Sequence, residues 1–228
     1  MKKNYYSIIN GGATAPLKRI TGAGVLLIEF IDGKPENMIL CSEYYKGKLI
    51  AADFGGKVDP GHDEYITVSK ELREESRNLF NINLNIFKLC KNIKVGPHDK
   101  DWVYSSFILP IETHRYARHF RSNKTKIESY HNDPKTGAVL HYWRETHNLI
   151  RFRITDLFTM IASSIVVCLD IDGRKWEIRN RTIGILKKIL GTINFEEMTP
   201  ITLKLTTYVS TRPETKFLDQ TIMYKLGD

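Results

Sequence analysis

The hydrophobic pattern of the N-terminal part of the chain predicts three β-strands followed by a loop. Residues 22–30 (GAGVLLIEF) form an apolar run that ends at the turn sequence IDGKPEN, and residues 38–45 (MILCSEYY) form a second run. Two such runs around an Asp-Gly turn are typical of a β-hairpin. Residues 47–56 (GKLIAADFGG) predict a third extended segment, which leads through two glycines into the loop DPGHDE.

Two segments show helical periodicity. Between residues 64 and 77, Tyr65, Val68 and Leu72 recur at positions i, i+3 and i+7. This spacing places them on one apolar stripe of an amphipathic helix. The segment 179–191 has apolar residues at the same kind of spacing, and its last residue is a glycine that can cap a helix.

The remaining apolar segments predict further strands. Partial alternation and a high content of β-branched and aromatic residues favour strands at 81–90, 101–111, 138–145 and 150–154. The run MIASSIVVCL at 160–169 is about half the length needed to span a bilayer, so it predicts a buried strand and no membrane partner.

The pattern divides the chain into one large domain, residues 1–198, and a C-terminal extension, residues 199–228. Residues 112–137 are polar, basic and rich in turn formers, which predicts a long insertion within the domain. The extension alternates apolar and polar residues over 201–209, so we expect it to pair with a sheet edge of its own domain or of a second copy, as in a homodimer.

Composition and charge narrow the class of protein. The formal net charge of +8 indicates an anionic partner such as a nucleotide, an RNA or a polyphosphate. Cys41, Cys90 and Cys168 stand singly, without metal-site spacing, and predict reduced thiols. No apolar leader precedes a small-residue cleavage site, which favours a cytoplasmic location.

Three glutamates, Glu71, Glu74 and Glu75, lie three or four residues apart on the first predicted helix, directly after the glycine loop. Helix geometry places them on one surface, where like charges repel each other. Two interpretations stay open. The carboxylates either belong to a solvated face compensated by lysine and arginine, or they offer oxygen ligands to a divalent cation beside a bound phosphate.

The same segment resembles the signature of the Nudix hydrolases, in which a glycine and a loop glutamate precede an Arg-Glu-apolar-x-Glu-Glu-x-Gly-apolar helix. Laid on that pattern, this chain supplies Gly56, Glu71, Leu72, Glu74 and Glu75 in register. The resemblance extends over about residues 20–195 and implies an α/β/α sandwich, with a mixed β-sheet between helices.

Four positions depart from the family pattern. His62 stands at the loop glutamate, Lys70 at the arginine, and Arg77 and Asn78 at the closing glycine and apolar residue. A lysine keeps the positive charge of an arginine but loses its forked geometry. A neutral imidazole at His62 can bind a metal ion or a phosphate.

The resemblance implies a metal-dependent pyrophosphohydrolase that uses Mg²⁺ or Mn²⁺ to cleave a nucleoside-diphosphate-linked substrate. The basic insertion makes capped RNA one candidate substrate. Glu71, Glu74 and Glu75 would be metal ligands, Gly56 would contribute backbone near the metal, and Glu74 or Glu75 would also serve catalysis. The departures motivate an alternative, a Nudix-like nucleotide- or RNA-binding module or scaffold with impaired turnover.

Further candidate residues lie outside the motif. Glu145, before the predicted strand at 150–154, is a candidate general base. Trp102 is a candidate platform for a nucleobase, although a tryptophan in a strand is more often part of the core. The insertion carries Arg115, Arg118 and Arg121 at a spacing of three. In a helix they would line one side and bind RNA phosphates, whereas in a solvated insertion they would serve only solubility, and both interpretations stay open.

Overall fold

The computed structural model describes residues 18–97, 101–112, 116–131 and 146–203 of the chain. The strands of this part are β1 Arg19–Ile31, β2 Lys34–Tyr45, β3 Lys48–Ala52, β4 Phe54–Lys57, β5 Lys91–Val95, β6 Trp102–Glu112, β7 Leu149–Arg153, β8 Val167–Leu169, β9 Lys175–Glu177 and β10 Ile201–Thr202. The α-helices are α1 Glu64–Glu75, α2 Leu84–Leu89, α3 Tyr116–His131, α4 Ile154–Ala162 and α5 Asn180–Ile189, and a short 3-10 helix covers Phe195–Glu197.

Eight of the described strands form one mixed sheet. Its central order is β10-β6-β1-β2-β3, while β4 pairs with β1, β5 with β6 and β7 with β2. The pairs β1/β6 and β6/β10 are parallel and the others are antiparallel. Strands β8 and β9 form a separate antiparallel pair.

The sheet divides into two branches beside Gly55 and Gly56 of β4. Strand β1 pairs with β2 from Leu27 onward but with β4 over Gly22 to Val25. The far half of β2 pairs with β3 instead. Asp53 lies between β3 and β4, so it occupies the point at which the two branches separate.

Helices cover both faces of the sheet. One core contains Leu26, Ile28 and Leu40 of the sheet and the buried residues of α4 and α5. The other contains alternate residues of the same strands, such as Leu27 and Ile39, together with buried residues of α1, α2 and α3. Because neighbouring strand residues point to opposite faces, the architecture is an α/β/α sandwich with a mixed sheet, as predicted.

The two predicted helices are present. The segment predicted at 64–77 forms α1, and the segment predicted at 179–191 forms α5 followed by Gly191 in a left-handed conformation. The predicted strands at 22–30, 38–45, 101–111 and 150–154 correspond to β1, β2, β6 and β7, and the segment 47–56 is divided between β3 and β4.

Two strand predictions are wrong. The segment 81–90 contains α2, whose first turn is capped by the Asn83 side chain. The segment 160–169 is not a buried strand, since it starts inside α4 and ends in β8, where Val167 and Leu169 are exposed. The buried residues of α4 have helical spacing, which explains the first half of that error; they are Ile154, Leu157, Met160 and Ile161.

The predicted polar insertion contains a regular helix. Tyr116, Phe120 and Asn123 of α3 are buried, and the first two pack onto the sheet core. Their spacing of four and three residues matches one face of a helix.

The ends of the domain are described only in part. Residues 138–145 lie outside the described residues, as do 204–228. Of the predicted alternating segment, Ile201–Thr202 form β10, which adds to the sheet beside β6. The division of the chain at residue 198 stays a prediction. Within the described residues, none of the helices is both long and apolar enough to cross a membrane.

Candidate active site

Helix α1 starts in a loop that is fixed at two points. The Asp63 side chain caps the helix by accepting a 2.8 Å hydrogen bond from the Ile66 amide. Lys70 Nζ donates a 2.9 Å hydrogen bond to Asp59 Oδ2, which ties the preceding loop to the helix. Val68 and Leu72 are fully buried against the sheet, and their positions set the rotation of the helix.

Lys70 therefore pairs with the loop. This hydrogen bond raises the pKa of Lys70 and lowers that of Asp59. The charges of Glu74 and Glu71 also raise the pKa of Lys70. His62 Nδ1 lies 3.9 Å from Asp59 Oδ2.

Helix α1 ends in a left-handed turn at the two positions that depart from the family pattern. Arg77 and Asn78 have φ values of 54° and 59°. The Asn78 amide bonds to the Arg73 carbonyl at 2.7 Å, and the Arg77 amide bonds to the Glu74 carbonyl at 3.0 Å. These are the two hydrogen bonds of a Schellman motif, in which glycine is the usual left-handed residue. The chain thus keeps the turn without the glycine.

The Arg77 side chain is 1% exposed and joins three segments of the protein. Its Nε and Nη2 atoms donate to the Thr146 carbonyl at 3.2 and 2.6 Å. Its guanidinium lies 5.8 Å from the centre of the Phe120 ring, and Asn123 Nδ2 donates to the Arg77 carbonyl at 2.9 Å. Sequence reasoning missed this anchor, because an arginine in a polar, charged helix gives no sign that it is buried.

Two glutamates of α1, Glu71 and Glu75, lie next to Gly55 and Gly56 of β4. Glu75 Oε2 accepts a 2.7 Å hydrogen bond from the Gly55 amide. A Cβ atom added to Gly56 would lie 2.5 Å from Glu71 Oε1 and 2.6 Å from Glu71 Cδ. Glu74 and Glu75 are 8% and 4% exposed. The Glu71 carboxylate therefore rests on the bare backbone of Gly56, and a larger residue there would displace it.

The surroundings of Glu75 are strongly acidic. Burial raises the pKa of Glu75 well above its usual range, and the charges of Glu71 and Glu43 raise it further. Arg181 opposes this shift. Glu43 lies on β2 and forms an ion pair with Arg179. Burial and these neighbouring negative charges both favour the neutral form of the Glu75 carboxyl group.

A buried polar cluster around Asp53 lies next to Gly55. Asp53 is 0% exposed and accepts hydrogen bonds from Thr182 Oγ1 at 2.6 Å, Tyr104 Oη at 2.8 Å and Arg181 Nε at 3.1 Å. Sequence reasoning missed this cluster, because its members come from distant segments and form no local motif.

The other predicted site residues that the structure describes belong to β6 and α3. Trp102 is 39% exposed and stands at the start of β6, paired with Arg19 of β1. Arg118 and Arg121 are exposed on α3. Arg115 and Glu145 lie outside the described residues.

The donor set of the site fits Mg²⁺ or Mn²⁺ in kind. Carboxylate oxygens on a rigid helix are the ligands that such hard cations prefer, and Gly56 leaves room for the Glu71 carboxylate beside the backbone. Among the described residues, however, no three His, Cys, Asp or Glu side chains are already arranged as a group that could hold a metal ion. The assignment of Glu71, Glu74 and Glu75 as ligands therefore stays a prediction.

Comparisons with known proteins give fold neighbours at low similarity. No protein-family model and no curated protein matches the chain. A C. elegans Ap4A hydrolase is 21% identical over 41% of this chain and 67% of its own, with a TM-score of 0.31. A MutT/nudix family protein from Listeria innocua is 14% identical over 77% and 94%, with a TM-score of 0.37. An ADP compounds hydrolase is 16% identical over 75% and 74%, with a TM-score of 0.32.

Proposed function

We propose that this chain is a Nudix-type pyrophosphohydrolase that cleaves a phosphoanhydride bond in a nucleotide substrate. The observation that carries the proposal is the joint placement of Glu71 and Glu75 against the consecutive glycines of β4. Glu75 accepts from the Gly55 amide, and Glu71 lies over Gly56. This is the arrangement expected if the motif seen in the sequence is a working site and not a solvated helix face.

Each residue has a distinct role in this proposal. Glu71, Glu74 and Glu75 would hold Mg²⁺ or Mn²⁺, and Gly56 would contribute backbone near the metal, beside the Glu71 carboxylate. When bound, the metal neutralises phosphate charge and lowers the pKa of a water molecule. The Gly55 amide fixes one oxygen of Glu75, so this carboxylate keeps its orientation while the substrate enters.

The general base comes from α1 or from Glu145. The residue after Glu145, Thr146, is held by the Arg77 guanidinium at the end of α1. Glu145 itself lies outside the described residues, so its role stays a proposal from its position in the sequence. His62 and Lys70 contact or approach Asp59 in the loop before α1, from which they can bind substrate phosphates.

Hydrolysis assays test this proposal directly. Nucleoside diphosphate derivatives and capped RNA are incubated with Mg²⁺ or Mn²⁺, and the released products are measured for the wild type and Glu74→Gln. The matched control is Glu36→Gln, which removes one negative charge from an exposed position of β2. We expect metal-dependent cleavage that Glu74→Gln reduces by about a thousandfold or more and Glu36→Gln leaves unchanged. Absence of cleavage with every substrate contradicts the proposal.

Capped RNA is the substrate that α3 favours. Arg118 and Arg121 are exposed on the helix, and they stand on the side away from the buried Phe120 and Asn123. Such a surface can bind several phosphates of a polynucleotide. The double variant Arg118→Ala/Arg121→Ala should lower the salt dependence of RNA binding by about two phosphate contacts. An unchanged slope excludes this surface as the RNA site.

The alternative function is nucleotide or RNA binding without turnover. It is motivated by the engagement of Lys70 with Asp59, since the family arginine at this position orients a glutamate. Retained nucleotide affinity in the absence of any hydrolysis, measured by calorimetry on the same panel, identifies this alternative.

A further inference from the structure

We infer that Arg181 is a positioning residue of the candidate active site: it holds the Gly55–Gly56 segment of β4 in place for the metal ion. This inference rests on the proposed function. Arg181 belongs to the first turn of α5, on the face of the sheet opposite α1. Its side chain reaches Gly55 at the fork of the sheet, where Asp53 separates β3 from β4.

Arg181 contacts the backbone at the start of β4. Its Nη2 atom donates to the Gly55 carbonyl at 3.1 Å and to the Asp53 carbonyl at 3.3 Å. Its Nε atom donates to Asp53 Oδ1 at 3.1 Å. Because the Gly55 amide donates to Glu75, Gly55 is held by α1 on its amide side and by α5 on its carbonyl side. The next peptide is that of Gly56, on which the Glu71 carboxylate rests.

The arginine is itself held rigidly. The guanidinium carbon lies 4.5 Å from the centre of the Tyr104 ring, and the Tyr104 hydroxyl donates to Asp53 Oδ2. The same hydroxyl packs tightly on two glycines, since a Cβ atom on Gly24 or Gly55 would lie 2.0 or 2.1 Å from its oxygen. Arg181, Tyr104 and Asp53 therefore restrict movement of Gly55 away from α1.

Through these contacts Arg181 would affect metal affinity as well as the stability of the fold, although it does not touch the metal. Partners that orient metal ligands without touching the metal typically contribute about tenfold to hundredfold in affinity. A lysine could not reproduce the role of Arg181, because its single ammonium lacks the fork that contacts two carbonyls and a carboxylate at once.

Direct measurement of Mn²⁺ binding tests this inference. The free Mn²⁺ signal in electron paramagnetic resonance is titrated with wild type, Arg181→Met, Tyr104→Phe and Arg153→Met, and kcat and KM are measured on the best nucleotide substrate. Arg153→Met is the matched control, since it removes the same charge from an exposed position of β7. Circular dichroism shows which variants are folded.

We expect Arg181→Met to weaken Mn²⁺ binding by about tenfold to hundredfold and to lower kcat more than it changes KM. Tyr104→Phe should act in the same direction with a smaller effect, and Arg153→Met should behave as wild type. A folded Arg181→Met protein with wild-type Mn²⁺ affinity overturns the inference while leaving the proposed function intact. If Arg181→Met does not fold, unchanged Mn²⁺ affinity in Tyr104→Phe overturns it instead. A wild-type protein that neither binds Mn²⁺ nor hydrolyses a substrate overturns the proposed function, and this inference with it.

Discussion

The amide of Gly55 donates a 2.7 Å hydrogen bond to the Glu75 carboxylate, although the two residues are 20 positions apart in the chain. This bond joins the last turn of α1 to strand β4, and both partners are buried. Glu75 is therefore oriented before any ligand arrives. A solvated helix face would not bury a glutamate in this way.

Substitution of Gly56 tests the placement of Glu71. In Gly56→Ala, the new methyl group would lie 2.5 Å from Glu71 Oε1, so the carboxylate has to move away from the backbone. We expect Mn²⁺ affinity and kcat to fall by at least about tenfold, since a displaced ligand is lost or misdirected. Mn²⁺ titration and steady-state kinetics measure both quantities.

Gly33→Ala is the control for this prediction. Gly33 has a φ of 75° and no atom within 4 Å of an added Cβ, so the substitution strains the backbone without a collision. We expect Gly33→Ala to lower stability by about 1 kcal/mol and to leave activity unchanged. Equal Mn²⁺ affinity and activity in Gly56→Ala and Gly33→Ala would show that neither depends on the position of Glu71 beside Gly56.

The left-handed conformation of Arg77 predicts an ordering of two variants. Both Arg77→Ala and Arg77→Gly lose the bonds to the Thr146 carbonyl and the contact with Phe120, which we expect to cost about 3 kcal/mol for the alanine variant. Glycine tolerates a φ of 54°, so Arg77→Gly should be about 1 kcal/mol more stable than Arg77→Ala. Denaturant unfolding at pH 7 measures both, and the reverse order would contradict the turn geometry.

The Lys70–Asp59 pair predicts a pH-dependent contribution to stability. The hydrogen bond from Lys70 lowers the pKa of Asp59 below its ordinary value of 3.8, so its stabilisation is present above that value and is lost as the pH falls through the folded-state pKa. On the alkaline side, the raised pKa of Lys70 preserves the bond up to at least its ordinary value of 10.5.

We therefore expect Lys70→Met to melt below the wild type by a constant amount between about pH 5 and pH 9. The difference should shrink below about pH 4. Thermal melts across this range measure it, and Lys46→Met, at an exposed turn, is the control. A difference that persists undiminished at pH 2.5 would show that Lys70 acts through packing and not through its charge.

The thiols predict slow alkylation of the folded protein. Burial raises the pKa of Cys90 to about 12, and burial with the nearby charge of Asp156 raises that of Cys168 to about 11. Since the thiolate is the reactive form, iodoacetamide at pH 8 should label both at least about a hundredfold more slowly than in denaturant. Mass spectrometry after timed quenching measures each site, and rates equal to those of the unfolded chain would contradict the burial of these cysteines.

Local patterns explain which parts of the fold could be predicted from the sequence. The apolar stripe of α1 and the turn between β1 and β2 are set by residues close together in the chain, and both were recovered. The glutamate spacing belongs to the same class, because i+3 and i+4 neighbours share a surface in any helix. The segment that became α2 alternates like a strand, and only the cap at Asn83 marks it as a helix.

The missed features all depend on contacts between distant segments. Asp53 and Arg181 are separated by 128 positions, and neither lies in a recognisable motif. Arg77 stands where glycine is expected, and its burial is set by the Thr146 carbonyl and by Phe120 of α3. Hydrophobic periodicity carries no information about such polar contacts, since it records only which face of an element is apolar.

The partners of Asp53 at the fork are synthesised at different times. On the ribosome, the glutamates of α1 and both glycines emerge more than a hundred residues before Arg181 and Thr182. Until those residues arrive, the Asp53 carboxylate has Tyr104 as the first of the three side chains that donate to it in the finished protein. A nascent chain released before residue 181 would therefore contain the whole glutamate motif without the α5 side chains that bind Asp53.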